Sequence, residues 1–340
     1  MKNIIQGSSA AKSIYGCGDV PADSWLNYAF ALLTVAGADG EVSAGEMEWL
    51  MNDFMAIIDA PEEFLKEIGQ FDYKAASLED ILPNIQFDVS INHKRALLYD
   101  AIKMSHADNE YSSREREAVR HSAELLQVPV YMARTLEGLV NTEKSIEAPR
   151  RSIFELDDQI MQRDEMPAGT RVASRLMQYN FGISFTSDEI EKGYGLALMA
   201  IAGADGHVSD SERDWYKHIF ASMAKTPRHI VYQVINSDYI NLRLEEIIPR
   251  LLKQGLPHGI AKTLLYNSIK MARADEHYPQ AERDAVAEAA RLLDIPVSIA
   301  NTMNYLIDAE DKVEKMRKTL FELKSANKAN LSAKARLQGF

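Results

Sequence analysis

The sequence holds a single cysteine, Cys17, so no internal disulfide can form and nothing in its thiol content points to an oxidising compartment. It has no run of the roughly 18 to 20 consecutive apolar residues that a spanning helix needs. The most apolar stretch, Tyr28 to Ala38, is short and leads straight into Asp39. The segment from Met1 to Gly18 lacks a basic region followed by an apolar one, so no secretory signal is expected. A cytoplasmic protein follows as the expectation. Also missing are a phosphate-cradling glycine loop, a Gly-x-Ser-x-Gly elbow, a His-Glu-x-x-His pair and any paired cysteines, so a non-enzymatic role is expected. Positive charge is in deficit as well. The net charge of −12 opposes binding to the phosphates of nucleic acid and suits cations or basic partners. The exception is the C-terminal tail, 324–340, whose charged residues are Lys324, Lys328, Lys334 and Arg336.

What the sequence does contain is a duplication. Tyr28-Ala-Phe-Ala-Leu-Leu-Thr-Val-Ala-Gly-Ala-Asp-Gly-Glu-Val-Ser returns as Tyr194-Gly-Leu-Ala-Leu-Met-Ala-Ile-Ala-Gly-Ala-Asp-Gly-His-Val-Ser. The register that sets Tyr28 on Tyr194 also sets Trp49 on Trp215, Phe54 on Phe220 and Pro61 on Pro227. After Pro83 and Pro249 a single insertion shifts it by one. The shifted register pairs Leu97-Leu-Tyr-Asp-Ala-Ile-Lys-Met with Leu264-Leu-Tyr-Asn-Ser-Ile-Lys-Met and Phe154-Glu-Leu with Phe321-Glu-Leu. This reading divides the chain into an N-terminal segment 1–21, a first domain 22–156, a linker 157–187, a second domain 188–323 and the basic tail. The linker has no visible counterpart elsewhere; one short helix is expected within it, from Arg171 to Tyr179.

Apolar residues recur at helical spacing throughout, as in Trp25, Tyr28, Ala29, Leu32, Leu33 and Ala36, and prolines such as Pro61, Pro129, Pro227 and Pro296 stand where helices begin. The expected fold is all-α: two tandem helical bundles of about six or seven helices each. An apolar stripe on each helix is what a bundle needs in order to fold, and requires no cofactor.

Each repeat contains two acidic turns. Ala38-Asp-Gly-Glu-Val-Ser-Ala-Gly-Glu46 is echoed by Ala107-Asp-Asn-Glu-Tyr-Ser-Ser-Arg-Glu115, and Ala204-Asp-Gly-His-Val-Ser-Asp-Ser-Glu212 by Ala274-Asp-Glu-His-Tyr-Pro-Gln-Ala-Glu282. All four share an aspartate, an apolar residue three later and a glutamate seven later. Helix capping accounts for much of this. Gly40 and Gly206 supply a left-handed helix end, and Ser43, Ser112 and Ser209 cap the next helix with Glu46, Glu115 and Glu212 completing capping boxes. Val42, Tyr111, Val208 and Tyr278 stand where a hydrophobic staple belongs.

Capping does not account for Asp39, Asp108, Asp205 and Asp275, which sit at the unfavourable end of a helix dipole. Pro279 also removes the capping serine from the fourth turn while both acids remain. The spacing matches the second half of an EF-hand loop, whose oxygens hold a hard cation. The first half is missing, because Val35 and Gly37, like Ile201 and Gly203, offer no carboxylate. Two readings therefore stand: structural capping alone, or a shallow cation site shared by the two turns of one repeat. Calcium or magnesium would suit such a site better than a transition metal, even with His106, His207 and His277 close by. Acids in exposed turns are expected to keep ordinary pKa values.

At these residues the chain resembles the TerB-like family of bacterial tellurite resistance, in its Ala-Gly-Ala-Asp-Gly-x-Val-Ser-x-x-Glu opening and its later Ala-Asp-x-x-Tyr-x-x-x-Glu segment. The resemblance implies a compact bundle with an acidic face, metal binding, and a part in stress-response assemblies near the inner membrane, peripheral and through protein partners. Onto this chain it carries Asp39, Glu46, Asp108, Glu115, Asp205, Glu212, Asp275 and Glu282 as metal ligands. The alternative function is a metal-independent scaffold whose acidic faces dock basic protein surfaces. No His-Pro-Asp triplet is present, so the chain lacks the signature by which a J-domain acts on its chaperone.

Overall fold

The computed structural model describes residues 4–5, 7–16, 19–87, 92–156, 168–253, 260–275 and 277–322. Cys17, the first part of the expected linker (157–167) and the basic tail lie outside them. The described chain is all-α apart from two short antiparallel ladders, Ile4–Ile5 with Val20–Pro21 and Arg171–Val172 with Phe185–Thr186. No described helix is long and apolar enough to cross a membrane.

The described residues form two compact units, one from those within 1–144 and 312–322, the other from those within 145–311. In the first, the helix Ala22–Ala36 is the central element. Trp25, Tyr28, Ala29, Ala31, Leu32, Leu33, Val35 and Ala36 are all buried, which is a helix apolar nearly all round. It packs on the helix His93–Ser105. In the second unit the helix Asp188–Ala202 has the same position, buried from Ala197 to Ala202 and covered by Arg228–Ile235, Leu244–Lys253 and Ile260–Ala272. Each unit carries a π-helical turn at the same repeat position, Leu50–Phe54 and Tyr216–Phe220. These turns lay Phe54 flat on Tyr28, with ring centroids 5.2 Å apart, and Phe220 flat on Tyr194 at 4.6 Å.

The structure extends the duplication upstream of where sequence pairing stops. Helix Ser9–Tyr15 follows the cap Ser8 and ends on Gly16 at φ 63°; helix Arg175–Phe181 follows Ser174 and ends on Gly182 at φ 64°. Ser8 Oγ donates to the Ile57 carbonyl, and Ser174 Oγ donates to that of Met223 at 2.5 Å. The ladder pair Ile5–Val20 becomes Arg171–Thr186. Every one of these partners stands on the register that sets Tyr28 on Tyr194. The described part of the segment expected to be a linker is thus the opening of the second repeat, equivalent to the N-terminal segment. The helix expected from Arg171 begins instead at Arg175, because residues 171–172 are held in a ladder and Ser174 accepts the Met177 N–H at 3.2 Å.

The packing units also differ from the repeats downstream. Residues 145–156, the end of the first repeat, belong to the second unit, and residues 312–322, the end of the second repeat, belong to the first.

Candidate acidic site

The first acidic turn follows the helix Ala22–Ala36 through one 3-10 turn, Gly37–Asp39. The chain reverses at Gly40, whose φ of 115° is closed to most side chains. Gly37 is required by close approach: a Cβ there would lie 2.3 Å from the Tyr73 ring, and at Gly203 one would lie 2.4 Å from Tyr239. In the second turn Asn109 takes the left-handed place of Gly40, at φ 71°.

All four aspartates have a local hydrogen-bonding partner. Oδ1 of Asp39, Asp108, Asp205 and Asp275 accepts the backbone N–H two residues on, from Glu41 at 3.2 Å, Glu110 at 2.9 Å, His207 at 2.9 Å and His277 at 2.8 Å. These are Asx turns, which fold the loop in the way a backbone turn does. They offset the unfavourable dipole position without reaching the next helix. Asp39, Asp205 and Asp275 are exposed and Asp108 is half-buried.

The glutamates are placed differently. Capping boxes form at three turns: the N–H groups of Ser43, Ser112 and Ser209 each donate to Oε2 of Glu46, Glu115 and Glu212 at 2.7 Å, and each serine Oγ accepts the glutamate N–H in return. The fourth helix, Gln280–Leu292, starts at Pro279 with no side-chain cap, leaving Glu282 without a box. Yet Glu46, Glu115, Glu212 and Glu282 are all buried, at 2 to 4% exposure.

Burial brings them together in pairs. In the first unit the two turns meet where Gly45 lies over Asp108 and Arg114 donates to the Asp39 carbonyl at 3.1 Å. There the Glu46 carboxyl is pushed up to about 8, first by burial and then by its hydrogen bond to Glu115, against the lowering effect of Ser43. In the second unit Glu282 is pushed up to about 8 by burial and by the charges of Glu212, Asp205 and Asp275. Glu212 is raised too, by burial, although the Ser209 N–H works the other way. The expectation of ordinary pKa values fails for Glu46, Glu212 and Glu282, because they are desolvated beside like charges and are not exposed turn acids.

Two carboxylate oxygens in the second unit, Glu212 Oε1 and Glu282 Oε2, are buried without a hydrogen-bond partner. The eight acids thus sort into aspartates in Asx turns and buried glutamates in pairs. Among the described residues no group of three or more His, Cys, Asp or Glu side chains is arranged to hold a metal ion. His106 packs on the Tyr111 ring at 4.4 Å, and its pKa is lowered by burial and by Lys144, whose Nζ donates to the His106 carbonyl at 3.1 Å. His207 and His277 contribute their backbone N–H groups to the Asx turns.

Sequence reasoning overlooked Tyr73 and Tyr239, which cover the two 3-10 turns; Tyr73 Oη also accepts the Val42 N–H at 3.3 Å. The available signal was that the two tyrosines coincide on the repeat register.

Residues 26–134 match the family model described as Tellurite resistance protein TerB, and this stretch, which carries both acidic turns of the first repeat, is TerB-like. No curated protein and no solved structure matches the chain.

Proposed function

We propose that this chain, with its TerB-like domain, is a non-enzymatic module that binds a divalent cation at the buried glutamate pair of each repeat. The observation that carries the reading is the pairing of Glu212 with Glu282, two buried carboxyls with raised pKa values and an unpaired oxygen each. Two like charges out of water are costly unless a proton or a cation lies between them. Carboxylate oxygens are hard donors suited to calcium or magnesium. Glu46 with Glu115 would be the equivalent pair in the first repeat. The aspartates would shape the two loops and supply surrounding negative charge. Two such modules in one chain would suit a repeated or multivalent protein partner, including one in a peripheral membrane assembly.

A second reading is supported by the local bonding. Three capping boxes and four Asx turns account for much of the acid content without a ligand, and leave acidic surface that a basic protein could dock on. Calorimetry with calcium, magnesium, manganese and zinc separates the two. Heat of binding that disappears in Glu212→Gln plus Glu282→Gln and Glu46→Gln plus Glu115→Gln, with helicity intact, supports the cation site. Absence of binding by all four ions leaves the scaffold reading.

A further inference from the structure

The four acidic turns differ in what holds their glutamates. Ser112 enters its helix at φ −67° and ψ 161°, and Pro279, its counterpart on the repeat register, enters at φ −68° and ψ 165°. The backbone is thus set for a cap at both places. Proline in that conformation removes both halves of a capping box. It has no hydroxyl to accept the Glu282 N–H, and no N–H to donate to the Glu282 carboxylate. At each of the other three turns that serine N–H lies 2.7 Å from the glutamate Oε2.

The consequence separates the two pairs. In the first, a serine N–H holds each carboxyl, and Glu46 and Glu115 hydrogen-bond to each other. Neither has an oxygen that is both buried and without a partner. In the second, a serine N–H holds Glu212 alone. Glu212 Oε1 and Glu282 Oε2 are buried with no hydrogen-bond partner, on residues 2% and 4% exposed. The arginines beside these turns are engaged elsewhere. Arg283 Nε and Nη2 donate to the Tyr278 carbonyl, Arg273 pairs with Asp308 and Asp311, and Arg213 donates to the Ile235 carbonyl. A buried carboxylate oxygen in this state is unfavourable, and a bound cation offsets the lost hydration. In the first pair a cation would first have to break the bond between the two carboxyls.

We propose that the two glutamate pairs are unequal cation sites, Glu212 with Glu282 the tight one and Glu46 with Glu115 the weak one, and that Pro279 sets the difference by leaving the Glu282 carboxylate free to ligate. This rests on the cation reading above and ranks its two sites. An N–H restored at position 279 draws Glu282 back toward the helix start, and a proline at position 112 releases Glu115 in the same way.

The test is calorimetric titration of the full chain with calcium chloride at pH 8. The wild type should show two classes of binding with Kd values about tenfold or more apart, the range over which partners of ligating carboxylates act. The tighter class should be lost in Glu282→Gln and the weaker in Glu115→Gln. A single detectable class that Glu282→Gln removes supports the same ranking. Pro279→Ala returns the N–H without the hydroxyl, so it separates the carboxylate's release from helix capping. It should weaken the tight class severalfold, and Pro279→Ser should bring that class to the affinity of the weak one. Ser112→Pro should tighten the weak class; where that variant does not fold, the two Pro279 variants decide. Two sites of equal affinity, a tighter class lost in Glu115→Gln, or a tight class unchanged by both Pro279 variants overturns the inference while the cation reading stands. No binding of calcium, or of magnesium, manganese or zinc in its place, overturns both.

Discussion

Tyr28 donates its hydroxyl hydrogen to Asp100 Oδ2 at 2.6 Å in the core of the first unit, whereas in the second Asn267 Nδ2 donates to Tyr194 Oη at 2.8 Å. The same repeat position thus holds a buried acid in one copy and a neutral amide in the other. Burial pushes Asp100 up to about 7, against the lowering effects of Tyr28, Lys103 and Tyr15.

That difference sets a pH dependence. The folded protein keeps a proton on Asp100 between pH 4 and 7 where the unfolded chain has lost it, so stability falls as pH rises through this window and changes no further from this group above it. Asp100→Asn, which copies the second repeat, should abolish this fall. Denaturant titrations across pH 4 to 9 should show the advantage of the variant growing up to about pH 7 and then holding level, at about 1–3 kcal/mol. An advantage independent of pH would contradict the buried-acid account.

Gly203 has an ordinary φ of −84°, so its backbone would accept alanine; the obstacle is the Tyr239 ring. Gly203→Ala should cost about 1–3 kcal/mol by overpacking. Tyr239→Leu in the same chain should recover most of that loss, as measured by the midpoint of urea unfolding. If the single variant is as stable as the wild type, the tyrosine does not press on the turn.

Trp25 of the first repeat is replaced in the second by Glu191, which lines a small cavity with Met177, Ile183, Tyr194 and Phe220. Glu191 is buried and pairs with Arg171 Nη2 at 2.7 Å. Removing the arginine leaves a buried carboxylate without its counter-charge. Because Arg171 is itself partly exposed, Arg171→Ala is expected to cost about 2 kcal/mol, below the range for fully buried pairs. Arg171→Ala with Glu191→Gln should be closer to wild type than Arg171→Ala alone. A double-mutant cycle with no coupling would show that the pair contributes nothing.

Much of the fold was legible because its signals are local. Ser43, Ser112 and Ser209 with their glutamates three residues on predict capping boxes, and all three form. The upstream extension was hidden because Ser8 with Ser174 and Gly16 with Gly182 are almost the only identities there, while Trp25 against Glu191 and Ser24 against Ile190 reflect different packing. The exchange of helix ends was hidden for another reason. Periodicity shows that Phe154 and Phe321 are buried, not which core receives them. At the acidic turns the sequence placed the weight on the aspartates, whose unfavourable dipole position is visible in one dimension. Their Asx bonds, and the meeting of Glu46 with Glu115 and of Glu212 with Glu282, appear only once the chain is folded.

The most direct test of the cation reading is calcium titration by calorimetry at pH 8 on the wild-type chain and on Glu212→Gln plus Glu282→Gln. The account predicts saturable binding by the wild type, with one fewer site in the variant and the same helical circular dichroism. Undiminished binding by the variant, or no binding by the wild type to calcium or to magnesium, manganese or zinc in its place, would contradict it.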